Sequence, residues 1–242
     1  MTPIPKIIWT LWLQGWCEAP IQALACLASW RRLNPAWSVH ALDRTTLGAH
    51  LLAEDCALVA SDAPPEALSD RIRIALLDTH GGVWADATAM CAAPLDDWLP
   101  AAAPHGFFAF DRPRSDRMVS SWFLAAAPGN AITPVWRAAV DAYWRDRVER
   151  DNYFWFHNLF ENCYAFDANV RAAWDATPKR PANHVFHFGP ESPVLTAPAT
   201  VELLTALRKP PVPVFKLTHK LGVKHAPGSL LDALISFGHG YT

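Results

Sequence analysis

The residues best placed by type and spacing to do chemistry lie between positions 69 and 88. Ser69-Asp70-Arg71-Ile72-Arg73 is followed by a mostly apolar stretch and then by Gly81-Gly82-Val83-Trp84-Ala85-Asp86-Ala87-Thr88. The pattern predicts a helix that stops at a glycine pair and runs directly into a strand. Two carboxylates and a guanidinium then converge on one cleft. A carboxylate on an apolar strand is costly to bury alone. At the C-terminal end of a sheet strand, Asp86 faces the crevice where open α/β sheets bind ligands, and there it can hold a divalent metal or a sugar hydroxyl. Asp70 and Arg73 are three apart and share a helix face. As a surface ion pair they stabilise by less than about 1 kcal/mol. As a clamp, Asp70 accepts from sugar hydroxyls while Arg73 orients the sugar or a phosphate. Ser69 reads as the helix N-cap or as a donor contact. The set suits a sugar joined to a diphosphate better than it suits a packed core.

A second group is basic. No Asp or Glu falls between Leu203 and Leu231, yet Arg208, Lys209, Lys216, Lys220 and Lys224 do, with His219 and His225. Such a run is a solvated face, or it meets a leaving diphosphate, on which charge builds as the sugar departs. His219 is also a candidate metal ligand. The outer lysines could meet anionic lipid heads or a lipid-diphosphate acceptor. Trp155, His157 and Asn158 sit on an aromatic helix and are candidates for an acceptor-side wall.

Elements that position these groups can be read in order. Lys6–Leu13 reads as a buried strand and Trp37–Leu42 as a second strand, with a helix from Ile21 that stops at Asn34-Pro35 between them. That order makes a parallel unit. Leu68, Ile72, Ala75, Leu76 and Thr79 line the helix that carries Asp70, and Val83–Cys91 reads as a third continuous strand. Strands at Phe107–Phe110 and Met118–Ala126 follow, then helices near 131–148 and 153–166. The last third reads as short strands alternating with proline-rich loops. Leu230, Leu231, Leu234 and Ile235 form a short apolar stripe suited to core packing. With no internal repeat or linker, residues 1–242 read as one domain.

Bulk composition narrows the class. Of 242 residues, 51% are hydrophobic and 18% charged, and the formal net charge is -2. This is an ordered chain with no basic excess for nucleic acid. Five cysteines lack C-x-x-C spacing, which argues against a zinc site or disulfide framework and for reduced thiols in a cytoplasmic setting. Neither a signal-peptide pattern nor an apolar run of membrane-spanning length is present.

The pattern S-D-x-x-R, helix, G-G-x-aromatic-x-D-x-T resembles the DXD-containing retaining glycosyltransferases, in particular their capsular polysaccharide synthesis branch. Ile4-Pro5-Lys6-Ile7-Ile8-Trp9-Thr10-Leu11-Trp12 is similar to their first strand, and Pro35-x-Trp37-x-Val39 closing at Asp43 to their second. Tyr153-Phe154-Trp155-Phe156-His157 and Phe215-Lys216-Leu217-Thr218-His219-Lys220 resemble later blocks, so the likeness spans nearly the whole chain. It implies an α/β GT-A fold, Rossmann-like, with a mostly parallel central sheet flanked by helices. Residues 1–100 would bind the nucleotide-sugar, and 101–242 would form the acceptor side and a phosphate-closing tail.

The resemblance further implies transfer of a hexose from a UDP-sugar to a glycan or lipid-linked acceptor. The anomeric configuration would be retained, in bacterial surface-polysaccharide synthesis at the cytoplasmic side, with a peripheral membrane contact. Trp9, Leu11 and Trp12 would meet the base, Ser69, Asp70 and Arg73 the donor sugar, and Lys216 and Lys220 the phosphates. Asp86, Thr88 and His219 would hold Mn²⁺ or Mg²⁺. Thr88 stands where the DXD motif has its second acid and brings no charge to a metal. Two rival readings follow from the same residues. One is a non-catalytic partner subunit that binds a nucleotide-sugar or glycan. The other is a glycan hydrolase that uses Asp70 and Asp86 as paired carboxylates.

Overall fold

The computed structural model describes residues 2–184, 186–189, 193–219 and 226–241. Its strands are β1 (Ile7–Leu11), β2 (Ser38–Leu42), β3 (Gly82–Ala85), β4 (Ala89–Cys91), β5 (Phe107–Arg114), β6 (Arg117–Ala126) and β7 (Val214–Lys216). The helices are α1 (Ile21–Leu33), α2 (Pro65–His80), α3 (Leu95–Ala102), α4 (Thr133–Trp144), α5 (Trp155–Phe166), α6 (Ala168–Ala176), α7 (Val201–Arg208) and α8 (Leu230–His239).

A five-stranded sheet in the order β2-β1-β3-β6-β5 forms the centre, and β4 pairs with β7 in a small second sheet. β1 runs parallel to both β2 and β3, whereas β6 is antiparallel to β3 and to β5. All strands of the central sheet except β6 therefore point the same way. The chain passes from β1 through α1 to β2 on one side, then returns through α2 to β3 on the other. The order reverses at β1, and a crevice opens beyond the C-terminal ends of β1 and β3.

Strand alternation divides the core into two layers. Trp9, Trp84, Leu124 and Phe107 pack on one face against Leu68, Ile72 and Leu76 of α2 and against α4 and α5. Ile8, Val83, Phe123 and Phe108 pack on the other against Trp30 of α1 and Trp98 and Leu99 of α3. Each large apolar side chain buried this way contributes about 1.5–3 kcal/mol. The C-terminal apolar stripe becomes α8, whose Leu230, Leu231, Leu234 and Ile235 are buried in a third cluster with Phe215 and Ala25.

The glycine pair does what its position requires. Gly81 ends α2 at φ 66°, and Gly82 opens β3 at φ 95°. A Cβ on Gly81 would fall 2.7 Å from the Ala126 carbonyl oxygen, and one on Gly82 2.7 Å from that of Ile7. Only glycine permits both the left-handed turn and this approach to the neighbouring strands.

Three sequence expectations are corrected here. α2 begins at Pro65 with Pro64 in the N-cap position and no side-chain cap, so Ser69 lies one turn inside the helix and caps nothing. The strand expected over Val83–Cys91 breaks at Asp86, because β3 and β4 belong to different sheets. The Asp86 amide donates to the Trp122 carbonyl at 2.9 Å, and its own carbonyl accepts from the Ala89 amide at 2.8 Å, closing a turn. The last third is chiefly helical among the described residues, with α6, α7 and α8 around the short strand β7. Leu203, Leu207 and Leu230 to Ile235 follow helical spacing that the prolines between them obscure.

Candidate functional site

A cavity of about 680 Å³ occupies the crevice at the ends of β1 and β3. Asp86 lies on its floor, on the turn that leaves β3. The carboxylate Oδ1 accepts from Trp84 Nε1 at 3.0 Å and faces Arg73 Nη2 at 3.4 Å. Oδ2 accepts from Lys216 Nζ at 3.1 Å. Burial alone would raise the pKa of this group. The Lys216 ammonium and the Arg73 guanidinium outweigh burial and hold the carboxyl below its usual range, so Asp86 is ionised at neutral pH.

Arg73 is the buried knot of the site, its side chain 5% exposed. Nη2 meets Asp70 Oδ1 at 3.1 Å and Ser69 Oγ at 3.1 Å, Nε donates to the Ser69 carbonyl at 3.3 Å, and Nη1 donates to the Ser121 carbonyl. The guanidinium also lies over the Trp84 ring at 5.1 Å. One side chain thus ties α2 to β3 and β6, with most of its five N–H donors committed to protein acceptors.

Asp70 stands behind Arg73 and does not reach the cavity wall. Burial pushes its carboxyl up to about 7, against the pull of Arg73. The structure therefore gives Asp70 the task of positioning Arg73. Only one carboxylate of the Asp70–Asp86 pair faces the cavity, so the two do not flank a substrate bond as a glycan hydrolase needs.

Lys216 enters from β7. Its Nζ donates to Thr88 Oγ1 at 2.6 Å as well as to Asp86. β7 pairs antiparallel with β4, with Lys216 opposite Ala89, and the Leu217 amide donates to the Thr88 carbonyl at 2.8 Å. The ammonium thus lies between the two side chains expected to hold a divalent metal. Those residues do not fit such an ion. Asp86 is already ringed by two cations, Thr88 is neutral, and no cluster of three His, Cys, Asp or Glu suited to a metal occurs among the described residues. His219 is exposed and stands edge-on to Trp12, ring centroids 5.4 Å apart.

The aromatic positions sort by strand geometry. Leu11 and Trp12 line the cavity where β1 ends. Trp9 does not. It is 2% exposed, donates from Nε1 to the Gly81 carbonyl at 2.9 Å, and packs among His40, His50 and His80. It sits mid-strand, where the neighbouring strands and α2 cover it. Trp155 is likewise corrected from acceptor wall to core. It is buried and stacked on Tyr143 with centroids 5.0 Å apart. Asn158 is exposed on α5 away from the cavity, because the first turn of that helix presents His157 to the cleft instead. Burial, with Arg117 and Arg73 nearby, pushes His157 down to about 3, so it stands neutral with Nδ1 lacking a hydrogen-bond partner. Thr88 and Ser69 both line the cavity, whereas Lys220, Lys224 and His225 lie outside the described residues.

Two cations escaped the sequence reading. Arg114 and Arg117, at the tip of the β5–β6 hairpin, line the same cavity as Asp86. The ladder slips between Asp111 and Arg114, and Arg112 adopts φ 44°. This bulge re-aims the hairpin tip over the cleft. The charge-dense run Asp111-Arg112-Pro113-Arg114-Ser115-Asp116-Arg117 was the available signal. Arg73, Arg114, Arg117 and Lys216 line the cavity against Glu66 and Asp86, an excess of positive charge that suits a diphosphate.

Comparison with known proteins gives three findings. A family model described as "Capsular polysaccharide synthesis protein" matches residues 2–234. The "O-glycosyltransferase braB" of Annulohypoxylon truncatum is 28% identical over 162 residues, covering 57% of this chain and 38% of that protein. The chain therefore spans well under half the length of that curated relative. The solved "PaToxG Glycosyltransferase" is similar with a TM-score of 0.48 and 14% identity, over 72% of this chain and 75% of that one.

Proposed function

This chain belongs to the capsular polysaccharide synthesis family, and from that premise we propose that it is a nucleotide-sugar-dependent glycosyltransferase of GT-A type. The observation that carries the reading is the cleft at the ends of β1 and β3, where Asp86 lies between Arg73 and Lys216 under a rim of arginines. Its donor is a UDP-hexose. Trp12, at the open end of β1, offers an aromatic face to the base, and the basic wall takes the diphosphate. The acceptor is a glycan or lipid-linked sugar that enters along Tyr153, Phe154 and His157.

Transfer proceeds with retention. The bond from the sugar anomeric carbon to the β-phosphate oxygen breaks, and its electron pair stays on that oxygen. The acceptor oxygen attacks from the same face, and its proton passes to the departing phosphate. No protein carboxylate is needed as nucleophile. Asp70 stands behind Arg73, and Asp86 is held ionised by two cations. The protein supplies orientation and fixed positive charge where the leaving group gains negative charge. His157 stays neutral across the physiological range and can accept a hydrogen bond from the acceptor hydroxyl without repelling the cations beside it.

The test is release of UDP from a panel of UDP-hexoses, with and without a glycan acceptor. Asp86→Ala should lower turnover by about 10³-fold while the chain still melts cooperatively. Wild-type turnover in a folded Asp86→Ala protein would refute the proposal.

A further inference from the structure

Lys216 stands where the divalent ion of a DXD-type site would stand. A cation bound by the side chains of Asp86 and Thr88 would take Thr88 Oγ1, which the Lys216 ammonium holds at 2.6 Å while it also holds Asp86 Oδ2 at 3.1 Å. The arrangement is built from both sides. The Lys216 amide donates to the Phe186 carbonyl at 2.9 Å, the Lys216 carbonyl accepts from the Phe188 amide at 2.8 Å, and β4 fixes the register with Lys216 opposite Ala89. Backbone bonds on two flanks hold the Lys216 main chain in place beside Thr88.

The charge count fits the same role. Arg73 already balances Asp86 from the Oδ1 side, at 3.4 Å. Arg73 is shared with Asp70 at 3.1 Å, and Lys216 brings a second positive charge to Asp86 at a position on the cavity wall. An ammonium has three N–H donors, and two point to Asp86 and Thr88. The third is left for a ligand oxygen. Thr88 is the natural partner for this device. A second carboxylate there would bind a divalent ion and cancel the ammonium, whereas a hydroxyl accepts from Lys216 and leaves its charge for the ligand.

We propose that the Lys216 ammonium replaces the divalent cation of the donor site, so that this protein binds the nucleotide diphosphate and transfers sugar without a metal. The proposal rests on the nucleotide-sugar reading above. Lys216 donates to an oxygen of the diphosphate. As the anomeric C–O bond breaks and its electron pair settles on the β-phosphate, the fixed ammonium stabilises that charge. The acceptor proton then neutralises the phosphate oxygen, and Lys216 itself neither gains nor loses a proton.

Calorimetric titration of UDP into the whole chain tests this, in excess EDTA and again in excess MnCl₂. The wild type should bind UDP with affinities that agree within about twofold in the two conditions. Lys216→Met should weaken UDP binding by about tenfold or more in EDTA, the loss expected for one charge-assisted hydrogen bond. Lys216→Arg, which keeps the charge, should recover part of the loss. Wild-type binding that disappears in EDTA and returns with Mn²⁺ would overturn the proposal without any variant and leave the transferase reading intact. So would a Lys216→Met protein that binds UDP as the wild type does in EDTA. A cooperatively folded wild type that binds no UDP in either condition overturns the nucleotide-sugar reading itself, a pattern distinct from metal-dependent binding.

Discussion

The two cations that flank Asp86 reach it from different parts of the molecule and under different constraints. Arg73 comes from the interior of α2, sixteen residues of helix packed on the central sheet, and its side chain is 5% exposed. Lys216 comes from a three-residue strand in the small second sheet, and its side chain is 17% exposed at the cavity wall. Arg73 meets acceptors on α2, on β6 and on the turn at Asp86, and lies over two aromatic rings, whereas Lys216 meets one carboxylate and one hydroxyl. The same charge therefore does two jobs. Arg73 holds the framework of the site together, and Lys216 remains available to a ligand.

Removing each cation in turn should separate the two roles. Arg73→Met takes from the buried Asp70 its nearest counter-charge and from Asp86 one of its two cations, and should cost about 3–5 kcal/mol of stability in a urea or thermal melt. Lys216→Met leaves Asp86 paired with Arg73, and should cost only about 1 kcal/mol. Equal losses in the two variants would erase the distinction.

Asp70 gives the next largest effect, through pH. Its folded-state value near 7 lies above the ordinary 3.8, so burial favours the neutral acid. That contribution is complete below the unfolded value and is lost as pH rises through about 7. Asparagine cannot ionise. The melting temperature of Asp70→Asn relative to wild type should therefore climb by several degrees between mildly acid and mildly alkaline buffer. Asp86 works in the opposite sense. Held low by Lys216 and Arg73, its contribution is present at neutral pH and lost in acid. A flat difference between Asp70→Asn and wild type across that range would show that Asp70 is ionised throughout.

Trp12 sharpens the contrast between framework and ligand wall. Trp12→Leu should weaken UDP binding by about tenfold, as expected for a lost stacking face, with little change in melting temperature. Smallest of all is Asn158→Ala, on the exposed side of α5, which should stay within about 0.5 kcal/mol of wild type in stability and leave turnover unchanged. A marked fall in acceptor use by Asn158→Ala would restore that residue to the site.

What could be read in the chain was local. The helix carrying Asp70 and Arg73, its stop at Gly81, and the strand that follows all come from short-range spacing and from the left-handed turn that glycine permits. The break at Asp86 was not legible. The apolar run continues through Ala89–Cys91, and only the pairing of β4 with β7 diverts it into another sheet. Trp9 and Trp12 look alike in sequence, and they differ because one lies under α2 while the other lies past the end of β1. Arg114 and Arg117 were visible as a charge run, but the bulge at Arg112 that turns them to the cleft depends on the partner strand.

The sequence by itself determined which groups are present, their order along α2 and β3, and the apolar faces that bury them, because hydrophobic periodicity and glycine geometry act over a few residues. Only the tertiary structure decided that Lys216, 130 positions from Asp86, reaches the same carboxylate. Such a contact depends on strand register and on charges meeting across a shared cavity, and nothing in the local spacing of either residue encodes it.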